Sequence, residues 1–270
     1  MPDAQPISTN RTGWIPGRNE LFAALVFVCA ANGLLTKAID AARGYGSISP
    51  VILLGLVLAI RALAIAPSGA PSHRDFIVAG VAALLSWWPL HAASWVALTL
   101  VALYLLFSEP KGTQLRAGAA IALVLTVQPF WGRFIEMFLG PWLERVDISA
   151  VAAATGAVAQ SNRLDFAHGP GGLVVTWGCT SFANASLALL LWVALTRTVR
   201  PTPKPGEWLN LAAVFATVFV INTVRLCLMA QSLSMQHALH GDAGQFWIGI
   251  LLLVSSLAWC AYGLRRELAS

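Results

Sequence analysis

Cys179 lies at the front edge of the apolar run in VVTWGCTSFANASLALLLWVAL, Arg225 ends NTVR inside a second run, and His240 opens HGDAGQFW just before a third. These are the parts of an acyl-transfer site: a thiolate that attacks a carbonyl, a cation that stabilises the oxyanion, and an imidazole that moves protons. Such chemistry requires all three groups to reach one place. Whether they do depends on the elements that carry them.

Composition sets the class of those elements. The chain has 270 residues, 57% hydrophobic and only 11% charged, with a mean hydropathy of +0.71, against roughly 25% charged residues in an ordinary soluble domain. The expectation is an all-α integral membrane protein: a single polytopic membrane domain over residues 21–270, with no separate soluble domain. Residues 1–20 are polar and proline-rich and lack the apolar core and cleavage site of a removed signal peptide, which predicts a cytoplasmic N-terminal tail and a retained first helix. About eight transmembrane helices are expected, near 21–39, 50–66, 76–90, 92–108, 115–131, 179–196, 208–227 and 244–263. Arg61, near the end of the second, suits a side chain that snorkels to the headgroups. Pro89 and His91 in WWPLHAASW mark an aromatic-rich tight turn at an interface.

Orientation follows from the basic residues of the connections, because cytoplasmic loops retain an excess of Lys and Arg. Placing Arg197, Arg200 and Lys204 of RTVRPTPKPGEW inside also places Arg265, Arg266, Lys111, Arg116, Arg74, Arg18 and Arg11 inside, so both termini are expected in the cytoplasm. The opposite face receives Lys37, Arg43, Arg133, Arg145, Arg163 and Arg225, spread over longer sequence. The chain is expected to be a multi-pass protein of the cytoplasmic membrane, with the bilayer as a partner. Its formal charge of +5 is dispersed over loops, without the basic stripe and stacking aromatics of a nucleic-acid binder.

The long connection 132–178 reads as an extracytoplasmic cap. GRFIEMFLGPWLERVDISAVAAATGAVAQ has apolar residues at helical spacing, which suits one or two helices lying in the interface. Extended runs at 163–166 and 173–176 flank HGPGG, predicting a small β-hairpin that leads into Cys179. A sixth span running from Cys179 to Thr196 covers about 27 Å and leaves the thiol at the outer edge, where a helix N-terminus favours thiolate. On the returning span Arg225 falls about 25 Å from Trp208, again near the outer edge, sharing a helix face with Asn222. His240 precedes the eighth span at that same face, so the active site is expected to face the extracytoplasmic side.

Each residue also has a plainer reading. Cys29, Cys227 and Cys260 read as small core residues. Arg225 alone is a snorkelling anchor and His240 alone a loop residue; their joint placement with Cys179 favours a site. The four cysteines show no metal-ligand spacing and no disulfide framework, and no cofactor is called for.

GCTS at Cys179, NTVR ending at Arg225 and HGDAG beginning at His240, in this order in the C-terminal half of a multispanning chain, resemble the Cys, Asn-x-x-Arg and His signatures of the exosortase/archaeosortase family. The likeness spans roughly 115–263, with residues 179–263 as the catalytic half. It implies a membrane cysteine protease or transpeptidase acting on exported proteins whose C-terminal sorting signal combines a recognition motif, a transmembrane helix and a basic tail. It implies Cys179 as nucleophile, Arg225 at the oxyanion and His240 as acid and base, with Asn222 orienting Arg225 or binding peptide, and with transfer to a lipid or glycan acceptor as an alternative to hydrolysis. Many exosortases carry a sequence like ACSGLRS where this chain has GCTSFANAS, which keeps the cysteine and changes the residues expected to line its pocket. His237 stands before Gly241 with the spacing that His240 has to Gly244, and His168 lies in the hairpin, so both are further candidates for the histidine role. The rival reading is a transporter or lipid-flipping protein for an anionic substrate, which a buried Arg would also serve.

Overall fold

The computed structural model describes residues 16–42, 49–67, 69–88, 91–168 and 170–269. Arg11, Arg43 and Pro89, and the side chains of Lys37 and His91, lie outside that description. Local sequence signals start several of the helices. Ser49 accepts the N–H of Val51 and Pro50 supplies a preset first turn for α2 (Pro50–Ala64). Ser72 and Asp75 form a reciprocal capping box at α3 (His73–Trp87). Thr113 caps α5 (Gln114–Leu125) through the N–H of Arg116.

With α1 (Arg18–Ala42) and α4 (His91–Ser108), these helices surround one apolar core. Trp95, Phe22, Leu63, Leu98, Leu105, Ile121 and Leu125 are fully buried in it. Gly118 lets α5 approach α2 closely, since a Cβ there would stand 2.7 Å from Cγ of Leu63. A second, smaller cluster joins α7 (Ser181–Val199), α8 (Glu207–Met229) and α10 (Asp242–Leu268) through Trp192, Val214, Val218 and Cys260.

Among the described residues, five segments are long and apolar enough to cross a membrane: 18–35, 114–155, 181–199, 207–229 and 242–267. Large apolar side chains are also exposed on the outside of the bundle, Leu84, Trp87 and Phe107 among them. The fold is that of a helical membrane protein. Helices α2 and α4 are apolar but shorter.

The expected span ending near 131 does not end there. After α5 the chain makes a π-helical turn over Val127–Trp131 and continues directly as α6 (Gly132–Thr155). Pro129 has no N–H to give, and the N–H of Trp131 reaches back five residues to the carbonyl of Thr126. The expected one or two separate interfacial helices are therefore one helix fused to α5. It contains Pro141 without breaking and stops at Gly156, whose φ of 72° is left-handed.

The expected hairpin is present as β2 (Arg163–Asp165) and β3 (Gly172–Val174), with a third strand, β1 (Ala159–Gln160), on its edge. Gly171, at φ 108°, makes the return possible. The sheet is fastened to the end of α8, because Ala167 and His168 donate their backbone N–H to the carbonyls of Ala230 and Gln231. Leu164, Leu173 and Val175 bury themselves with Ile148, Val151, Leu226 and Met229, and this third core includes Cys179.

Ion pairs collect at the opposite end of the bundle. Arg18 binds Asp75 at 2.9 Å and pairs with Glu109, while Tyr104 donates to the same Asp75 at 2.9 Å. Arg197 pairs with Glu207, and Arg200 reaches Glu267 at 2.7 Å alongside Lys204. These contacts tie α1 to α3 and α4, and α7 to α8 and α10.

Candidate functional site

Cys179 does not sit in the first turn of α7. It ends a short 3-10 turn, Trp177–Cys179, and α7 begins at Ser181. The turn is closed by the N–H of Cys179 on the carbonyl of Thr176 at 2.8 Å and by the N–H of Thr180 on that of Trp177 at 3.0 Å. The sequence reason is that β3 delivers the chain in extended form and Thr176 is still extended where the turn begins. The thiol is 4% exposed, and the Thr176 hydroxyl donates toward it at 3.9 Å.

Arg225 and His240 reach the same cavity. That cavity has a volume of about 370 Å³, and Cys179, Arg225, His240, Asn184 and Gln245 stand on its wall. The three groups come from three elements. Cys179 lies in the turn before α7, Arg225 in the last turns of α8, and His240 at the C-terminal end of α9 (Leu233–His240). Helix α9 exists because Ser232 caps it through Met235, and Gly241 separates it from α10. Gln245 of α10 donates to the carbonyl of His240 at 2.6 Å, fixing the end of α9 over the cavity.

Arg225 is 6% exposed. Its guanidinium donates to the carbonyl of Leu239 at 3.4 Å, its Nε has no partner, and among the described residues it makes no ion pair. A buried cation without a carboxylate is costly, and on an apolar membrane helix such a residue points to a functional site. Thiolate or oxyanion chemistry beside it would supply that charge.

Asn222 does not orient Arg225. It is fully buried, and its Nδ2 donates to the carbonyl of Cys179 at 2.9 Å and to the Ser181 hydroxyl at 3.2 Å. It therefore holds the turn that carries the thiol. His237 and His168 are exposed and neither lines this cavity. His168 is instead part of the backbone tether between the sheet and α8.

Sequence reasoning missed Asp147. This carboxylate, 2% exposed, accepts the N–H of Ser181 at 2.9 Å and its hydroxyl at 2.5 Å, so the start of α7 is not open to a thiolate as expected. Asp147 falls next to Ile148 and four residues before Val151, on the stripe of α6 that the structure buries, but no sequence pattern names its partner Ser181.

A second, larger cavity of about 650 Å³ adjoins the first. It is a mostly apolar groove between the start of α2 and α10 with α7 as its floor, and Asn184, Gln245, Gly249 and Leu252 line both spaces. Among the described residues, no group of acidic, His and Cys side chains is arranged to hold a metal ion. The chain matches no protein-family model, no curated protein and no solved structure.

Proposed function

We propose that this chain is a membrane-embedded cysteine peptidase or transpeptidase of exosortase-like chemistry, cleaving the C-terminal sorting signal of exported proteins at the outer face of the cytoplasmic membrane. The observation that carries the reading is the meeting of Cys179, Arg225 and His240 on one cavity wall, from three separate elements. The eight-span arrangement and the outward-facing site belong to the same proposal, as does the cap at 132–178.

The Cys179 thiolate attacks the carbonyl carbon of the scissile peptide bond, and the oxyanion that forms is stabilised by Arg225. His240 gives a proton to the departing amine as the C–N bond breaks and a thioester remains. It then takes a proton from water, or from an acceptor amine on a lipid or glycan, as that nucleophile displaces the thiolate. Asn222 acts on the backbone of Cys179. The apolar groove supports lateral entry, since a substrate helix lying in it would present the chain just beyond its end to the adjoining cavity.

The test is co-expression with a candidate exported protein ending in a motif, an apolar helix and a basic tail, its C-terminus read by intact mass. Cleavage by wild type and not by Cys179→Ala is expected; equal cleavage by both removes Cys179 as nucleophile. The buried, unpaired Arg225 also fits a path for an anionic substrate in a transporter or lipid-flipping protein. In that reading anion or lipid movement persists in Cys179→Ala.

A further inference from the structure

The start of α7 is held from outside its own sequence. Thr180 is its N-cap by backbone position, but the Thr180 hydroxyl turns back to the carbonyl of Trp177 at 2.8 Å and caps nothing. Asp147 of α6 does the capping instead, taking both the N–H and the hydroxyl of Ser181. Among the described residues this buried carboxylate has no cationic partner. The hydrogen bonds continue from Ser181 to Asn222, and from Asn222 to the carbonyl of Cys179. Side chains of α6, α7 and α8 thus link the two successive peptide units that follow the thiol: Asn222 holds the carbonyl of Cys179 and Asp147 the N–H of Ser181, with the Ser181 hydroxyl between them.

We propose that Asp147 is a positioning residue for Cys179, clamping the turn through Ser181 and Asn222 while its charge occupies the positive end of α7. The inference rests on Cys179 being the reacting group. Asp147 itself has no place on the cavity wall and acts through its neighbours. Two consequences follow from one side chain. The clamp keeps a nearly buried thiol in a fixed orientation. The carboxylate also satisfies donors that a developing anion would otherwise use, which leaves Arg225 as the cation facing the cavity.

Alkylation of the purified full chain separates these two effects without any substrate. Iodoacetamide is neutral and iodoacetate anionic; each loses iodide to the thiolate, and peptide mass locates the residue modified. In Asp147→Asn, Cys179 is expected to react faster with both reagents, and the gain for iodoacetate is expected to exceed that for iodoacetamide by about threefold or more at low salt, shrinking as salt is added. Ser181→Ala keeps the carboxylate and the backbone donor but breaks the relay to Asn222. It is expected to raise both rates by one common factor.

Cys29 and Cys260, packed in the two other cores, are the internal control. They stay unmodified if the turn alone has loosened, and they react if the fold has been lost. Should Asp147→Asn expose them, Ser181→Ala and Asp147→Glu decide, the first raising both rates and the second restoring the wild-type ratio of the two reagents. A wild-type rate at Cys179 in Ser181→Ala overturns the clamp. An equal gain for both reagents in Asp147→Asn overturns the role of the charge. If labelling behaves as expected while Cys179→Ala still processes substrate, Asp147 positions Cys179 and the peptidase reading is the one that fails.

Discussion

Arg197 and Arg225 are both nearly buried guanidiniums on apolar helices, yet they are treated in opposite ways. Arg197, at the end of α7, pairs with Glu207, while Arg200 lies 3.7 Å from the same carboxylate. Arg225, near the end of α8, meets only a backbone carbonyl at 3.4 Å. At the first end the charges are spent on each other and join helices; at the second, one charge is kept unspent beside a thiol and an imidazole. Burial alone would not tell these residues apart. The presence or absence of a carboxylate does, because a buried cation left without its counter-charge costs stability and so calls for a role other than packing.

The comparison can be broken by substitution. Cys179→Ala has the largest expected effect, a fall in processing of at least about 10³-fold with unchanged folding, read by intact mass of the substrate. Arg225→Gln and His240→Gln follow, each lowering the rate by about 10²-fold or more. His237→Gln, whose side chain stands away from the cavity, should stay within about twofold, a difference that kinetics on one substrate would reveal.

Arg197→Gln should do the reverse of Arg225→Gln. Losing its partner leaves Glu207 with the more distant Arg200 alone, a cost of about 2–3 kcal/mol, somewhat under the usual figure for a broken buried pair. Thermal unfolding in detergent should register that loss, while activity per folded molecule is retained. If Arg225→Gln destabilises as much as Arg197→Gln, Arg225 is structural and the contrast collapses.

The smallest effect concerns Asp75, at the edge of α3. Burial pushes its carboxyl up, but hydrogen bonds from Ser72, Arg18 and Tyr104 outweigh that and hold it below the ordinary carboxylate range. Its contribution to stability is therefore present above the unfolded value near pH 4 and lost as the pH falls through the lower folded value. Asp75→Asn should cost about 1 kcal/mol at neutral pH and flatten that acid dependence, which unfolding at a series of pH values would detect.

Much of this geometry was legible because helix rise is fixed. Counting residues from Trp208 to Arg225, and noting where His240 precedes the last apolar run, was enough to bring the three groups to one depth. Two things could not be counted. The two-residue strand β1 has no pattern of its own and exists through pairing with β2. Asp147 looked like one more charge on an amphipathic helix, since its partner Ser181 lies 34 residues away and only the packing of α6 beside α7 joins them. The start of α7 was misread for a related reason: GCTS is as compatible with a helical turn as with the 3-10 turn that the arriving β3 imposes.

The π turn at Val127–Trp131 takes up one residue more than an α turn does, which separates the places where a change of length is absorbed from those where it is not. Each residue added to or removed from a helix rotates everything downstream by about 100°. The turn holds α6 at the rotation that points Asp147 at Ser181. A single-codon deletion there would close the wide turn to an ordinary α turn and leave α6 near its present rotation, whereas the same deletion between Gly132 and Asp147 would swing the carboxylate away from α7. Length between Gly132 and Asp147, more than residue identity, is what the chain must preserve.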